Sequence, residues 1–400
     1  MHNVMIANNR NNNSQLVSKA FLESVFFVGL FSIFFYLNYL IIFQKTSCWT
    51  DYRSHIFYAK QFFIDGKSVG FHHLGFHFLL FIFHKLFSLT FEYASVFVSS
   101  ISLTATAFII YKISIKELGN IYSNSVILLI AQSLMVVTPI FAAYYGISIY
   151  RGTWSPNVWH NPTIVLVKPF AFIVVYMFMS LYENDYLQKS YRYILAIVIF
   201  VSISIFMKPN FFICFAIAIL IFIILKRSNK RLFIITFLII LLPSVFLIIQ
   251  YLLTYNGTYD SSIGFGFFTI WDYFSSNIPG SIAFSMAFPL MLFIFSPRNA
   301  LKDDRLLFAW ILFLVGFVQF SFLTEEGPRK FHANWVWGYQ IAMHILFVYS
   351  ILHLFKEYGA SNVRTKWANI KLYCLTIVYM LHYTSGIYYL MKIIGGGNCT

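Results

Sequence analysis

Asp51 opens the stretch DYRSHIFYAKQFFIDG, and Tyr52, Arg53 and His55 follow it at once. An acid on such partly aromatic surface is suited to act as a base toward a hydroxyl. Two other polar stretches offer complementary groups. RGTWSPNVWHNPT brings His160 and Asn161, and TEEGPRKFHANWVWG brings Glu325, Arg329, Lys330, His332 and Asn334. The planar fork of Arg329 fits a phosphate by two parallel bonds, while Lys330 adds a point charge and His332 a further donor. A base near an acceptor hydroxyl and cations near a departing phosphate are the parts of a transfer from a phosphate-linked donor. Each stretch also has a structural reading. Asp51 fits a helix N-cap, the tryptophans beside His160 fit a Pro-terminated loop at a membrane interface, and Glu325 and Glu326 could neutralise Arg329 and Lys330.

These residues must be positioned by membrane helices. The chain of 400 residues is 59% hydrophobic and 10% charged, where a soluble domain carries about 25% charged residues. Its apolar runs do not alternate as barrel strands would, so the fold class is an all-α polytopic membrane protein. Spans are expected near 20–43, 93–111, 124–146, 164–182, 193–207, 210–225, 232–254, 281–297, 306–323, 336–355 and 372–394, each of a length to cross with some tilt. The apolar run Phe71–Leu89 carries four histidines and a lysine. If it lies at the interface, seventeen of the 28 Lys and Arg fall on one side, including the KRSNKR turn. If it crosses, every later loop changes side. The positive-inside bias favours the first arrangement: about eleven transmembrane helices, a cytoplasmic N-terminus and interfacial helices in the first outer loop. The expected organisation is a disordered tail 1–19, one transmembrane domain 20–394 with outer loops 44–92, 144–163, 255–281 and 324–337, and a short outer tail 395–400. The net charge of +14 then anchors topology, and no nucleic acid is expected as a partner.

The order of parts over roughly the first 190 residues resembles the GT-C membrane glycosyltransferases. TDYRSHIFYAKQFFIDG looks like the first-loop signature of that family, an acid, an aromatic and a helix ending near glycine. FHHLGFHFLLFIFHKLFSLTFEYASVFVSSISLTATAFIIYKISIKELG looks like the semi-embedded helix and second span that continue it. The resemblance implies that Asp51 is the catalytic base of an inverting enzyme at the outer face of a plasma membrane. It also implies a polyprenyl-phosphate-linked sugar as donor and a glycan, lipid or protein hydroxyl as acceptor. Arg329, Lys330 and His332 would then hold the donor phosphate. Tyr52, Arg53, His55, His160, Asn161, Glu325 and Asn334 would line the substrate site. The family's second acid has no counterpart between Glu117 and Glu183, so no cofactor and no metal are expected.

Other residues carry weaker signals. Lys168 lies inside an expected span, where a charge marks either function or a side chain snorkelling to the headgroups. His73 and His77 are one helical turn apart, within a set that includes His72 and His84, yet only Asp65 is near to complete a metal site. Asp260 and Asp272 fit a solvated outer loop. Cys48 and Cys399 could face an oxidising side, although nothing in their spacing pairs them. The chain carries no Gly-Lys phosphate turn, HExxH or GxSxG. Two alternatives stay open: a polysaccharide polymerase or ligase of cell-surface assembly, and a non-enzymatic transporter of lipid or glycan. The latter calls for paired charges deep in several spans.

Overall fold

The structure, a computed structural model, describes residues 2–396 apart from 44, 46–49, 68–73, 146–151, 158, 255–261 and 360–364, with backbone alone for 2–18, 145 and 253–254. The described chain is all-α, with sixteen α-helices and one two-stranded sheet. Helix α1 (His2–Ile42) begins within the Asn-rich stretch that was expected to be a disordered tail, since extending an established helix costs little. It packs antiparallel to α4 (Phe91–Leu118). At one end of this pair, Glu23 accepts from Tyr111 and Lys112; at the other, Asn38 donates to Ser100 at 3.1 Å. Because α1 ends where α4 begins, the connecting α2 (Tyr52–Phe63) and α3 (Leu74–Phe87) return to the end they left. With 14 residues, α3 is about 21 Å long, short of a hydrocarbon core of about 30 Å.

Two expected spans are broken. Helix α5 (Asn124–Leu134) stops twelve residues short of the predicted boundary at 146, because Pro139 has no N–H to continue it. Buried irregular backbone is tolerated at membrane depth only where protein satisfies its polar groups, and here it does. Thr138 N–H donates to His382 O, Ile140 N–H to Phe284 O and Phe141 N–H to Ser385 Oγ. His382 Nδ1–H donates to Thr138 O, His344 Nε2–H to Leu134 O, and Asn157 Nδ2 to both Leu134 O and Val137 O. The span histidines therefore cap backbone. Gly386 lets the last helix approach this segment: a Cβ there would lie 1.8 Å from Val136 O. The second break falls in the predicted span 281–297, where α11 (Ile278–Ser285) and α12 (Ala287–Phe295) bend by 73° with Pro289 in the new first turn.

The remaining helices are α6 (Pro162–Glu183), α7 (Tyr191–Met207), α8 (Asn210–Leu225), α9 (Lys230–Thr254), α10 (Thr269–Phe274), α13 (Pro297–Lys302), α14 (Asp304–Phe322), α15 (Val336–Gly359) and α16 (Lys366–Ile394). Among the described residues, six helices are long and apolar enough to cross a membrane by themselves, seven if the bent pair counts as one. Helix α15 is central, with every residue from Val336 to Leu354 buried. The sheet was not anticipated: β1 (Ile263–Phe265) pairs antiparallel with β2 (Leu323–Glu325), joining two loops far apart in sequence.

Contacts sort the connections into two ends. One gathers Asp51, residues 152–157 and 159–161, Lys208 and Glu325. The other carries an ion network in which Arg305 holds Glu183 by two bonds of 2.6 and 2.7 Å and also meets Glu117, which Lys356 shares.

Candidate functional site

Helix α6 fixes the geometry of the site. Asn161 is its N-cap, and its Oδ1 accepts from the Ile164 N–H at 3.1 Å, the usual contact of a capping amide. This settles which way the amide faces, because an oxygen must point at the helix N–H. The Nδ2 is thereby directed at Asp51, to whose Oδ2 it donates at 2.5 Å. Thr163 Oγ1–H donates to the same Asn161 oxygen at 2.7 Å and accepts from Lys208 Nζ at 3.1 Å. Lys208, Thr163, Asn161 and Asp51 thus form one chain with every donor pointing toward the carboxylate, an arrangement in which each bond polarises the next.

The backbone repeats the clamp. Asp51 N–H and Thr50 Oγ1–H both donate to His160 O, at 3.0 and 3.1 Å. Asp51 does stand at the N-cap position of α2, but its side chain does not cap that helix. The carboxylate is turned to Asn161 instead.

Lys208 was not singled out from the sequence. It sits in the Lys-Pro turn between α7 and α8, nearly buried, with Nζ 4.5 Å from the centre of the Trp337 ring. Burial draws its ammonium down to about 7; Asp51 and Glu325 oppose this, and Arg329 adds to it. Asp51, Glu325, Arg329 and Lys208 therefore share one electrostatic neighbourhood. The signal in the sequence was a lysine in the shortest polar break between two apolar runs, IFMKPNFF.

Several other predicted residues join this end. The His160 ring lies 6.1 Å from Trp337. Asn334 donates to Glu325 at 2.9 Å and its carbonyl accepts from Asn210. Arg329 ends a short 3-10 turn, and its carbonyl accepts from the His332 N–H. Lys330 stands 6.0 Å from the Phe331 ring. Arg53 and His332 are exposed. Tyr52 differs: its fully buried phenol donates to Ser99 at 2.8 Å and ties α2 to α4. His55 Nδ1 lies 3.0 Å from His77 Nε2, joining α2 to α3.

Residues 152–157 and 159–161, read as part of an interfacial loop, are buried protein interior. Trp154 packs edge-on against Trp271, Phe274 and Phe320, and Trp159 lies 5.5 Å from Phe34. Gly152 turns the chain at φ +80°, where a Cβ would meet Phe274 O at 2.4 Å. Lys168 does not reach the headgroups. It is fully buried and donates to Pro156 O at 2.9 Å and Asn157 Oδ1 at 3.2 Å, fastening this stretch to α6. Its amphipathic stem is long enough for that reach, and protein carbonyls stand where lipid phosphates were expected.

His84 bonds Leu89 O, and Asp272 is exposed on α10. Asp260, His72, His73, Cys48 and Cys399 lie outside the described residues. Among those described, no group of three His, Cys, Asp or Glu could hold a metal. No family model matches the chain, and no curated protein is similar to it.

Proposed function

We propose that the chain is a polytopic membrane glycosyltransferase of the GT-C type, moving a sugar from a polyprenyl-phosphate donor to a hydroxyl acceptor with inversion. One observation carries the reading: a carboxylate held by a neutral amide, at the end of a hydrogen-bond chain that starts on a buried cation. Asp51 takes the proton of the acceptor hydroxyl as that oxygen attacks the anomeric carbon. The bond from that carbon to the donor phosphate breaks with its electron pair leaving on the phosphate. Lys208 and Arg329 stabilise the charge that develops there, Lys330 and His332 lie on the approach, and the single displacement inverts the centre. His160 and Asn161 position Asp51, and Glu325 with Asn334 sets the position of the loop that bears Arg329.

In this reading the chain crosses eleven times, with α5 plus residues 135–142 as one crossing and α11 plus α12 as another. The N-terminus is cytoplasmic and α3 lies along the outer interface of a plasma membrane, where the site faces outward. The transporter alternative called for paired charges within the spans. Lys168, His344 and His382 instead bond backbone carbonyls and amides, which favours an enzyme.

The test is transfer from a lipid-linked sugar in reconstituted vesicles. Asp51→Asn is expected to lower the rate about a thousandfold with unchanged insertion and melting temperature. Full activity in that variant would sink the proposal.

A further inference from the structure

At the end opposite Asp51, two cavities meet at Tyr358. The first, of about 600 Å³, has a mixed lining that includes the cations Arg298 and Lys371 and lies under the start of α16, beside Asn299, Thr365 and Trp367. The second, of about 560 Å³, is an apolar groove between α5, α15 and α16. Tyr358 lines both. Along α16 the change is abrupt: Lys371 belongs to the first cavity and Leu372 begins the groove, which runs on to Tyr383. That stretch is about 17 Å of helix, close to half of a hydrocarbon core of about 30 Å.

An open recess that carries two cations, beside an apolar groove one leaflet deep and sharing Tyr358 with it, matches the shape and charge of a phospholipid. We infer that this face binds one anionic phospholipid, its phosphate between Arg298 and Lys371 and one acyl chain along α16. The charge balance agrees. Lys371 Nζ rests on Phe295 O, a neutral partner, and Arg298 is exposed. Glu357, the acid in the lining, is engaged by Asn299 at 2.8 Å, by Ser296 and by His353. The first N–H groups of α16 add positive potential on the same side, where Thr365 caps the helix. Trp367 and Tyr373, both largely exposed, stand where aromatic side chains meet headgroups.

The probe is native mass spectrometry of the full chain released from vesicles of mixed phosphatidylglycerol and phosphatidylcholine. The intact protein is expected to retain phosphatidylglycerol in preference. Each cation contributes about fivefold, so R298Q/K371Q should lower that retention about 25-fold and abolish the preference. Thr376→Trp, which fills the groove and leaves both cations, should lower retention of both lipids alike. Competition by inorganic phosphate alone should have no effect, since it carries no chain. Equal retention of the two lipids by the intact protein, or undiminished retention in both variants with unchanged melting temperatures, would overturn the inference. So would displacement of the lipid by inorganic phosphate.

Discussion

The two ends of the bundle use their charges in opposite ways. Around Arg305 the acids are met by cations: Glu117 and Glu183 share the guanidinium, Lys356 joins Glu117, His353 meets Asp303 at 2.8 Å, and Lys226 meets Asp304, while Asp185 is held by the Gln188 amide. At the Asp51 end, where α2 and α4 also carry the exposed Lys60–Glu92 pair, the hydrogen-bond partners of the site residues themselves are neutral. Asp51 is held by the Asn161 amide, Glu325 by the Asn334 amide, and Lys208 by a hydroxyl and an indole face. Paired charges fix helix ends and are spent in doing so. Charges anchored by neutral groups keep their field for something that arrives later, and on the proposed function this difference separates a scaffold end from a site end.

The contrast can be broken most forcefully at the scaffold. Arg305→Met leaves Glu183 without its cation and Glu117 with Lys356 alone, so unfolding should become easier by about 3 kcal/mol. A denaturation series would measure this, and transfer per folded molecule should stay near that of the parent. At the site the balance reverses. Lys208→Met should leave the melting temperature almost unchanged and raise the donor KM about 30-fold, as expected when a charged hydrogen-bonding partner is lost. If K208M destabilises the fold while R305M abolishes transfer, the assignment of the two ends is wrong.

A pH series sharpens the comparison. Burial lowers the Lys208 ammonium to about 7, so its cation is present below that value and fades above it. Donor affinity should therefore weaken as pH rises through and beyond 7, with the midpoint displaced upward when an anionic donor is bound. Lys208→Arg, whose charge does not titrate in this range, should flatten the profile. The smallest effect is expected at the exposed Lys60–Glu92 pair: Lys60→Ala should change stability by less than about 1 kcal/mol.

Much of the helical fold was legible because apolar runs of span length leave a membrane chain few alternatives. The breaks were written as plainly, in Pro139 and Pro289, but hydropathy averages over them. Asp51, Asn161, Glu325, Arg329 and Asn334 were found because polar groups stand out in such a chain. Lys208 was passed over because a Lys-Pro break of minimal length reads as a mere connection. The burial of residues 152–157 and 159–161 was illegible for another reason. Tryptophans, prolines and asparagines compose an interfacial loop and a buried plug equally well, and only the approach of α1, α6, α10 and α14 decides between them.

The kinked segment after α5 also bears on how the protein is made. Its amides and carbonyls find partners on residues 284, 344, 382 and 385, hundreds of positions downstream. A nascent chain that has left the ribosome only as far as α6 holds this stretch with its polar groups unanswered. Maturation of the Asp51 end therefore waits for the final helix, and a chain cut short before residue 382 should persist as an inserted but unfinished protein, exposed to quality control.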